Sequence, residues 1–555
     1  MARPKESGAV IKPRGTTIPV ALVYPNEYRL GMGNLGFQFL YHRLNSHPLL
    51  SAERFFFSCS SWTKQTKSMP VSEETGRPLS EFAVIAFSVP FESDYPAIPA
   101  ALMAAGVPPR ARDRRSVHPL VIAGGVSVSM NPEPIAEFLD IAYIGELEDS
   151  DESAPGLLST LAQAWSVSAA TRRDPQSVAE LFSHIPGVYI PSAYSFDFGE
   201  QGVISRIRVK PGFPERIQAV KRRAKESPVP VSVLFTPEAE FGESLLVETN
   251  RGCGRGCRFC AAGWIHFPVR HAEYGSFRDD VDRALASGRT VGLVGSDLAG
   301  HPDLEDILTD IVTRGGTFSL SSIRPEGLTP KIVELMAATG QKTATLAPEV
   351  ATLRMKRVIG KNIANERFYD LVEMLVAGGI PNIRFYFMIG LPTETDEDAA
   401  GIVDFVIEAR RLFVDASRPV RRIGRLGVQV NPFVPKPWTP FQWAGMASAR
   451  ELGHRMRIIH DGLLKHPNVL VRMESHKQAA IQAFLSRGDR RISGAILAAA
   501  NQAGRWSGVL KKEGIDPDFY VLRKRTENEI FPWDLTDHGV KKENLYKLFV
   551  NAIHT

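Results

Sequence analysis

The stretch TNRGCGRGCRFCAAGW (residues 249–264) contains three of the four cysteines in a chain of 555 residues. Cys253, Cys257 and Cys260 follow the spacing Cys-x3-Cys-x2-Cys, which requires a curled loop rather than one helical face. The glycines between them allow the backbone to adopt positive φ angles and to wrap closely around a bound group. Soft thiolate ligands select zinc, copper(I) or iron–sulfur clusters. The stretch therefore predicts a metal-binding loop.

The loop is one ligand short of the four that structural zinc takes. The nearest histidines, His266 and His271, lie in what reads as the same loop, and Cys59 comes almost 200 residues earlier. We interpret Cys59 as a buried apolar residue. A [4Fe–4S] cluster held by three cysteines would leave one iron open to a small molecule. A zinc site with three cysteines and one histidine is the alternative.

Composition and length predict a multidomain cytoplasmic protein. The chain is 44% hydrophobic and 23% charged, as ordinary soluble proteins are. Its length exceeds a single hydrophobic core and predicts about two to four domains. No apolar run approaches the roughly 20 residues that cross a bilayer, and the basic N-terminus lacks the apolar segment of a signal peptide. Clustered cysteines favour a reducing compartment. We therefore expect a cytoplasmic protein with no membrane partner.

Residues 241–446 alternate apolar strands with amphipathic helices. Helical spacing of apolar residues recurs in 303–314 and 365–377, and each pattern stops at paired glycines. Six such units predict an α/β fold with an open, partial (βα)6 barrel. The cysteine loop follows the first strand, at the end where barrel active sites lie. The predicted strands are 244–248, 291–294, 317–323, 343–347, 383–389 and 426–431.

The first 190 residues predict a separate α/β domain. Continuous apolar runs at 18–25, 82–89, 118–125 and 140–149 are separated by helical segments, as in a Rossmann-like, doubly wound parallel sheet. Gly124 and Gly125 follow a predicted strand, where a ligand would need close approach of the backbone. Residues 191–240 carry short alternating strands and prolines and predict a small β element and a linker.

Residues 447–555 predict a mainly helical, basic C-terminal domain. They contain 18 Lys and Arg against 12 Asp and Glu, an excess that permits contact with nucleic acid or another polyanion. A solvated surface with a slight basic bias is the alternative. Several side chains could cap the barrel, meet the substrate, or serve only packing and ion pairs: Trp438, Trp443, Arg487, Asp489, Arg490 and Trp533.

The cysteine spacing, with Phe259 before the last cysteine, resembles the signature of the radical S-adenosylmethionine (SAM) enzymes, and the similarity extends over about residues 240–450. VGSDLAGHPDL resembles the segment that meets the methionine amino group, FYFMIGLPTET the segment near the adenine, and SLSSIRPEG and LAPEV the places of ribose and carboxylate contacts. The resemblance implies these cofactor-binding residues: Gly295, Ser296, Asp297, Ser322, Arg324, Glu349, Gly390, Leu391 and Pro392, with Arg357 and Lys361 as further candidates.

In that family SAM binds the open iron through its amino and carboxylate groups. An electron from the reduced cluster then yields methionine and a 5′-deoxyadenosyl radical. The resemblance therefore implies a [4Fe–4S] cluster, SAM, and an electron donor such as flavodoxin or ferredoxin. It does not identify catalytic side chains, the substrate or the net reaction.

The N-terminal region resembles the cobalamin-binding domain that precedes the radical SAM core in one subgroup, above all in VIAGGVSVSMNPEPIAEFLDIAYIGELED (121–149). The usual cobalt-ligating histidine is absent, because the first loop reads YPNEYRLGMGNLG (24–36). Cobalamin could bind without it, near Gly124 and Gly125, or the fold could be kept without the cofactor. Over nearly its whole length the chain is most similar to an uncharacterised family of this three-part layout.

Three functions follow from these patterns. The first is radical C–H abstraction by an enzyme, of which cobalamin-assisted methyl transfer is one version. The second is RNA modification by a radical SAM enzyme; methylthio transfer is disfavoured, because it uses a second cluster and only Cys59 remains. The third is a non-catalytic iron–sulfur or zinc protein with a structural or redox-sensing role.

Overall fold

A computed structural model describes residues 5–59, 69–147, 156–166, 181–221, 228–321, 323–506 and 508–555. The chain forms two compact units. The N-terminal unit comprises residues 1–243, 484–520 and 526–539, and the barrel unit comprises 244–483, 521–525 and 540–555. The basic C-terminal stretch thus contributes to both units. Ser322, one of the predicted cofactor-binding residues, lies outside the described residues.

The N-terminal unit is built on a six-stranded sheet in the order β2-β1-β3-β4-β5-β6. The strands run parallel except the last, which is antiparallel to β5. This order is that of flavodoxin-like sheets, which bind ligands between β1 and β3, where the strand order reverses. The strands are β1 Ile18–Tyr24, β2 Leu50–Phe56, β3 Val84–Ser88, β4 Leu120–Gly124, β5 Ile141–Tyr143 and β6 Val188–Tyr189.

Helices alternate with these strands along the chain, and the apolar faces of the helices cover the sheet. They are α1 Tyr28–Met32, α2 Leu35–Ser46, α3 Ala97–Ala104, α4 Val126–Met130 and α5 Leu157–Ser166. A hairpin of β7 (Tyr194–Phe198) and β8 (Ile204–Val209) follows, and then β9 (Ile217–Gln218). The region predicted as a small β element therefore contains strands.

The barrel unit contains two four-stranded sheets. In the first, β10 (Leu245–Arg251), β12 (Val291–Gly295) and β13 (Phe318–Leu320) are parallel, and β11 (Arg270–His271) is an antiparallel edge. The second is parallel throughout and comprises β14 Thr343–Glu349, β15 Asn382–Ile389, β16 Leu426–Pro432 and β17 Val469–Met473.

The strands alternate with helices, as in a partial α/β barrel. Phe405 packs its ring 5.3 Å from that of Phe385 and 5.5 Å from that of Phe387, so this face of β15 is the outer, helix-covered face. Strand β17 is a seventh parallel strand in a stretch predicted to be mainly helical. The helices are α6 Ala262–Ile265, α7 Arg278–Ala286, α8 Leu304–Thr313, α9 Pro330–Ala338, α10 Leu353–Ile359, α11 Asn365–Ala377, α12 Asp396–Ser417 and α13 Ala449–Leu463.

The C-terminal stretch is mainly helical, as predicted, with one short strand, β18 (Thr536–Asp537), that pairs with β9.

In the N-terminal unit, Arg490 donates to both carboxylate oxygens of the fully buried Glu133, at 3.0 and 3.1 Å. In the barrel unit, buried Trp443 packs on Tyr546. Packing and ion pairs thus account for these side chains. The helices are α14 His476–Arg487, α15 Ser493–Ala500, α16 Val509–Lys512, α17 Pro517–Val521 and α18 Lys542–Ile553.

No helix in the described part of the chain is both long enough and apolar enough to cross a membrane.

Replacement of Glu133 by Gln should destabilise the protein, because it leaves the Arg490 guanidinium in a mostly buried site without its counter-charge. We expect the free energy of unfolding to fall by about 3 kcal/mol, measured by urea denaturation of the full chain. Asp197→Asn is the matched control, since it breaks an exposed ion pair with Arg208 and should change stability by less than about 0.5 kcal/mol. Equal losses in the two variants would contradict the prediction.

Candidate functional site

The cysteine loop begins where β10 ends. Gly252 has a φ of 84°, and a Cβ atom there would lie 2.4 Å from the His266 carbonyl oxygen. Only glycine therefore fits this turn without displacing the backbone of residue 266. Cys257 is buried, and Cys253 and Cys260 are partly exposed. The turn at Gly252 begins a short loop that carries all three thiols at the carboxyl end of β10.

Asn250 joins the cysteine loop to the segment after β12. Its side chain donates to the Gly252 carbonyl at 3.2 Å and accepts from the Asp297 N–H at 3.4 Å. Gly295 makes room for this amide, because a Cβ there would lie 1.9 Å from Asn250 Oδ1. The structure therefore gives Gly295 a packing role beside the loop, while the adjacent Ser296 is exposed.

The far end of the loop is anchored on helix α10. The Arg258 N–H donates to the Ile359 carbonyl at 2.9 Å, and its guanidinium donates to the Val358 carbonyl at 2.9 Å. A cation at a helix C-terminus also interacts favourably with the helix dipole. Trp264 Nε1 donates to the Cys257 carbonyl at 3.1 Å, and Phe259 is half-buried within the loop. The loop is thus held at both ends by hydrogen bonds independent of the thiols.

The three thiols are close enough to perturb one another. Burial raises the pKa of Cys257; Lys361 and Arg324 lower it, and the thiolates of Cys260 and Cys253 raise it. Burial also raises the pKa of Cys260, where the Ala262 and Gly263 N–H groups lower it and Cys253 and Glu349 raise it. The structure therefore brings Arg324, Lys361 and Glu349 to the cysteine loop.

In the described residues, no three His, Cys, Asp or Glu side chains surround one point that a single metal ion could fill. In a four-iron cluster each cysteine binds a different iron, so its cysteines do not converge on one such point. The donor set, three soft thiolates with nearby cations, fits an iron–sulfur cluster.

Two charged side chains beside this loop each carry a buried atom that lacks a hydrogen-bond partner in the described structure. These atoms are Asp297 Oδ1 and Arg324 Nε. Burial lowers the pKa of Arg324, but Glu326, Cys257 and Asp297 raise it by more. The Asp297 carboxylate can accept a hydrogen bond, and the Arg324 guanidinium can donate one. The pair therefore suits a ligand that carries both an ammonium and a carboxylate group. Buried atoms of this kind are otherwise rare, because each costs free energy.

Glu349 ends β14 in a left-handed conformation with a φ of 67°. Such backbone costs a non-glycine residue about 1–3 kcal/mol and persists where the surroundings enforce it. Here Lys361 Nζ holds the turn: it donates to the Ala347 carbonyl at 2.6 Å and lies 3.0 Å from Glu349 Oε1. The strained residue directs a carboxylate toward the cysteine loop.

The segment Gly390–Leu391–Pro392 follows β15, the neighbour of β14. Gly390 has a φ of 81°, and its N–H donates to the Glu394 carboxylate. Arg455 binds the same carboxylate at 2.8 Å, and burial raises the pKa of Glu394 to about 7 against the lowering effects of the Gly390 N–H and Arg455. Parallel strands end at one edge, so the segment lies at the same edge as Glu349.

Gly124 and Gly125 lie in the N-terminal unit, and packing accounts for Gly125 but not for Gly124, where a Cβ would lie 3.7 Å from the nearest atom. Gly125 has a φ of 116°, and a Cβ there would lie 2.5 Å from the Val89 carbonyl oxygen. In the first loop, a Cβ on Gly31 would lie 2.4 Å from the Phe56 ring. At this edge, Asp94 Oδ2 is buried without a hydrogen-bond partner in the described residues. Gly31 and Gly125 fit against the chain's own atoms, so the presence of these two glycines does not require a ligand.

Sequence reasoning missed Asn250 as a site residue and considered His271 only as a histidine near a possible zinc site. His271 pairs with Asn250 across β10 and β11, and its Nδ1 is buried without a partner in the described chain. Burial and then His301 lower the pKa of His271, while Asp297 and Asp303 raise it. An asparagine just before the glycine–cysteine turn was the available signal for Asn250.

Two protein families match the chain. Residues 36–191 match the family described as "Radical SAM proteins, N-terminal", and residues 247–406 match the "Radical SAM superfamily". The second range contains the cysteine loop, Asp297, Arg324 and Glu349.

Among curated proteins, an uncharacterized protein of Methanocaldococcus jannaschii is 24% identical over 502 residues, covering 90% of this chain and 95% of that protein. The ribosomal protein uS12 methylthiotransferase RimO of Thermodesulfovibrio yellowstonii is 24% identical over 35% of this chain and 48% of its own length. The chain therefore matches about half of that methylthiotransferase.

Among solved structures, the radical SAM methyltransferase TsrM of Kitasatospora setae, with cobalamin and a [4Fe-4S] cluster bound, has a TM-score of 0.49 at 14% identity, covering 90% of this chain and 99% of TsrM. The cobalamin-dependent radical enzyme OxsB has a TM-score of 0.44 at 15% identity, covering 73% of this chain and 56% of OxsB.

Gly295→Ala should loosen the cysteine loop, because the new Cβ displaces Asn250 from both of its hydrogen bonds. We expect a loss of about 1–3 kcal/mol in the free energy of unfolding and less iron bound after reconstitution. Gly254→Ala is the matched control, since its Cβ would lie 3.5 Å from the nearest atom, on Val269, an ordinary contact. Normal iron content in Gly295→Ala would show that the Asn250 contacts do not position the loop.

Proposed function

Because the chain belongs to the radical SAM superfamily, we propose that its cysteine loop holds a [4Fe–4S] cluster and that the enzyme cleaves SAM reductively. Cys253, Cys257 and Cys260 would each bind one iron. Once reduced, the cluster would supply the electron for cleavage of SAM to methionine and a 5′-deoxyadenosyl radical, and that radical would abstract hydrogen from a substrate.

The pair of unpartnered atoms at Asp297 and Arg324 carries this proposal. The methionine part of SAM has one ammonium and one carboxylate. Asp297 Oδ1 can accept from the ammonium, and Arg324 can donate to the carboxylate. Both atoms are buried beside the loop that would hold the iron. The site is therefore prepared for a zwitterion at the place where SAM would meet the cluster.

The remaining side chains would orient the rest of SAM and limit access of water. The Glu349 carboxylate, fixed by Lys361, can accept hydrogen bonds from hydroxyl groups such as those of a ribose. Gly390–Pro392 would approach the adenine, since Glu394 and Arg455 fix that turn. A closed site matters here, because a reactive radical must be shielded from competing reactions.

The partners are also part of the proposal. An electron donor such as flavodoxin or ferredoxin would reduce the cluster, and a cytoplasmic location would keep the thiols reduced. Contact with nucleic acid through the C-terminal stretch remains a prediction. Several of its cations are internal: Arg455 pairs with Glu394, Arg490 with Glu133, and Arg491 with Asp489.

Methyl transfer with cobalamin in the N-terminal unit is one version of the proposed reaction. The flavodoxin-like strand order provides a binding edge between β1 and β3. However, Gly31 and Gly125 are filled by packing within the chain, and no histidine follows β1 in the loop at 24–36. No step of the proposal uses this cofactor.

Replacing any one of Cys253, Cys257 or Cys260 by Ala should abolish 5′-deoxyadenosine formation, because each would bind one iron. The measurement is chromatographic detection of 5′-deoxyadenosine after reduction of the reconstituted enzyme with SAM. Cys59→Ala is the control: that thiol donates to the Ala500 carbonyl at 3.5 Å in the N-terminal unit, and burial raises its pKa to about 11. Loss of product in Cys59→Ala would show that this thiol was misassigned.

Arg324→Gln and Asp297→Asn should each weaken SAM binding by about 10- to 100-fold, since each removes a charge-assisted hydrogen bond of about 1.5–3 kcal/mol. Binding is measured from the change that SAM causes in the EPR spectrum of the reduced cluster. Arg411→Gln is the control, because this arginine of α12 pairs with Glu408 at the surface, and SAM binding should be unchanged in that variant. A spectrum that SAM leaves unchanged in the unaltered enzyme would refute the proposed function.

A further inference from the structure

A cavity of about 340 Å³ lies on the sheet of β14–β17. This volume is at the lower end of the roughly 300–1000 Å³ typical of small-molecule sites. Most of its lining residues come from the amino-terminal halves of the strands, away from the cysteine loop. The polar side chains among them are Thr343, Asn382, Arg384, Arg425, Gln429 and Arg472.

The three arginines lie on adjacent strands or just before one. Arg384 belongs to β15, Arg425 precedes β16, and Arg472 belongs to β17. Arg384 alternates with the helix-facing Phe385, so it lies on the inner face of the sheet. Three positive charges therefore surround one small cavity, with an amide and a hydroxyl between them.

These guanidinium groups have no protein partner. In the described parts of the chain, none of the three makes an ion pair or a side-chain hydrogen bond. On the nearby helix α12, by contrast, Arg411 pairs with Glu408 and Asp415. All three side chains are exposed and solvated by water, and a phosphate between them would add paired, charge-assisted hydrogen bonds.

Gly427 provides the space for this arrangement. It pairs with Arg384 on one side and with Leu470 on the other. A Cβ at this position would lie 3.5 Å from Arg384 Cγ. Glycine inside a strand weakens the strand and often marks a close approach by a ligand. The missing side chain therefore leaves room above β16 between Arg384 and Leu470.

The cavity leads toward the cysteine end of the barrel unit. Gln429 is level with Tyr386 on one side and Arg472 on the other. Only three residues, about 10 Å, separate it from the end of β16 at Pro432. Gln429 Nε2 donates to Asn431 Oδ1 at 2.8 Å, so the polar lining continues in that direction. A molecule of nucleotide size could extend from the arginines toward this edge.

We propose that Arg384, Arg425 and Arg472 bind the phosphate group of a small-molecule substrate, with its reactive carbon directed toward the cysteine loop. Arginine binds phosphate through paired, charge-assisted N–H donors, and three of them match a dianion. The assignment as substrate rests on the proposed function, whereas the binding of phosphate does not.

Calorimetric titration of the full-length, reconstituted protein with ribose 5-phosphate, inorganic phosphate and ribose tests this assignment. We expect both phosphates to bind and ribose not to. Arg384→Gln and Arg472→Gln should each weaken binding at least about tenfold, as expected for a lost charge-assisted hydrogen bond. Arg283→Gln is the matched control, because this arginine of α7 pairs with Asp280 at the surface. Its affinity should equal that of the unaltered protein.

Gly427→Ala is a second variant, and it distinguishes a loss of the binding site from misfolding of the protein. Alanine costs less backbone entropy than glycine, so the strand should remain stable while the cavity becomes smaller. Weaker ribose 5-phosphate binding with an unchanged unfolding temperature supports the site. Unchanged binding in Gly427→Ala, Arg384→Gln and Arg472→Gln together would overturn it.

The two proposals fail separately. If the unaltered protein cleaves SAM but binds neither phosphate, the phosphate site is overturned and the proposed function stands. If arginine-dependent phosphate binding occurs without SAM cleavage, the proposed function fails and the site stands as a phosphate site. Arginine-dependent binding of oligouridylate without binding of ribose 5-phosphate would assign the cavity to RNA and overturn the small-molecule proposal.

Discussion

The proposed binding of SAM depends on keeping two buried polar atoms free. Asp297 Oδ1 and Arg324 Nε lack partners in the described structure, and each unmade hydrogen bond costs about 1–3 kcal/mol. They could lower their energy by turning toward each other or toward water. Asn250 fixes the Asp297 backbone, and Glu326 binds the Arg324 guanidinium from the side. The surrounding hydrogen bonds thus preserve an arrangement that the two side chains alone would not keep.

Much of the fold could be predicted because many of its strands are continuous apolar runs. The apolar runs that form β1, β3 and β4 predicted a parallel sheet. Paired glycines follow α8 and α11, as expected. Strand β2 was missed because LSAERFF contains Glu53 and Arg54, residues typical of a surface. In the structure Arg54 is fully buried and pairs with Glu74 and Glu6. An ion pair within a core depends on partners distant in sequence, so local pattern cannot reveal it.

The candidate site, like the fold, could be predicted only in part. The cysteines, Asp297, Arg324 and Glu349 were predicted from motifs, and the structure brings them to one edge of the barrel unit. It also gives Gly295, Gly390 and Gly125 packing roles, which motif similarity cannot separate from ligand contact. The basic C-terminal stretch shows the opposite limit. A count of charges suggests a cationic surface, yet Arg455 and Arg490 are mostly buried and pair with carboxylates. Net charge of a segment does not tell where the charge lies.

The chain returns to the N-terminal unit late: residues 484–520 and 526–539 complete a unit whose main part ends at residue 243. A ribosome that adds roughly 5–20 residues per second needs about 15–60 s to reach residue 539 from residue 243. During that time Glu133 has no Arg490, and the surface that buries Trp533 is incomplete. The first part of this protein to leave the ribosome is therefore among the last to become native, and it depends on chaperones or on its own partial stability in the interval.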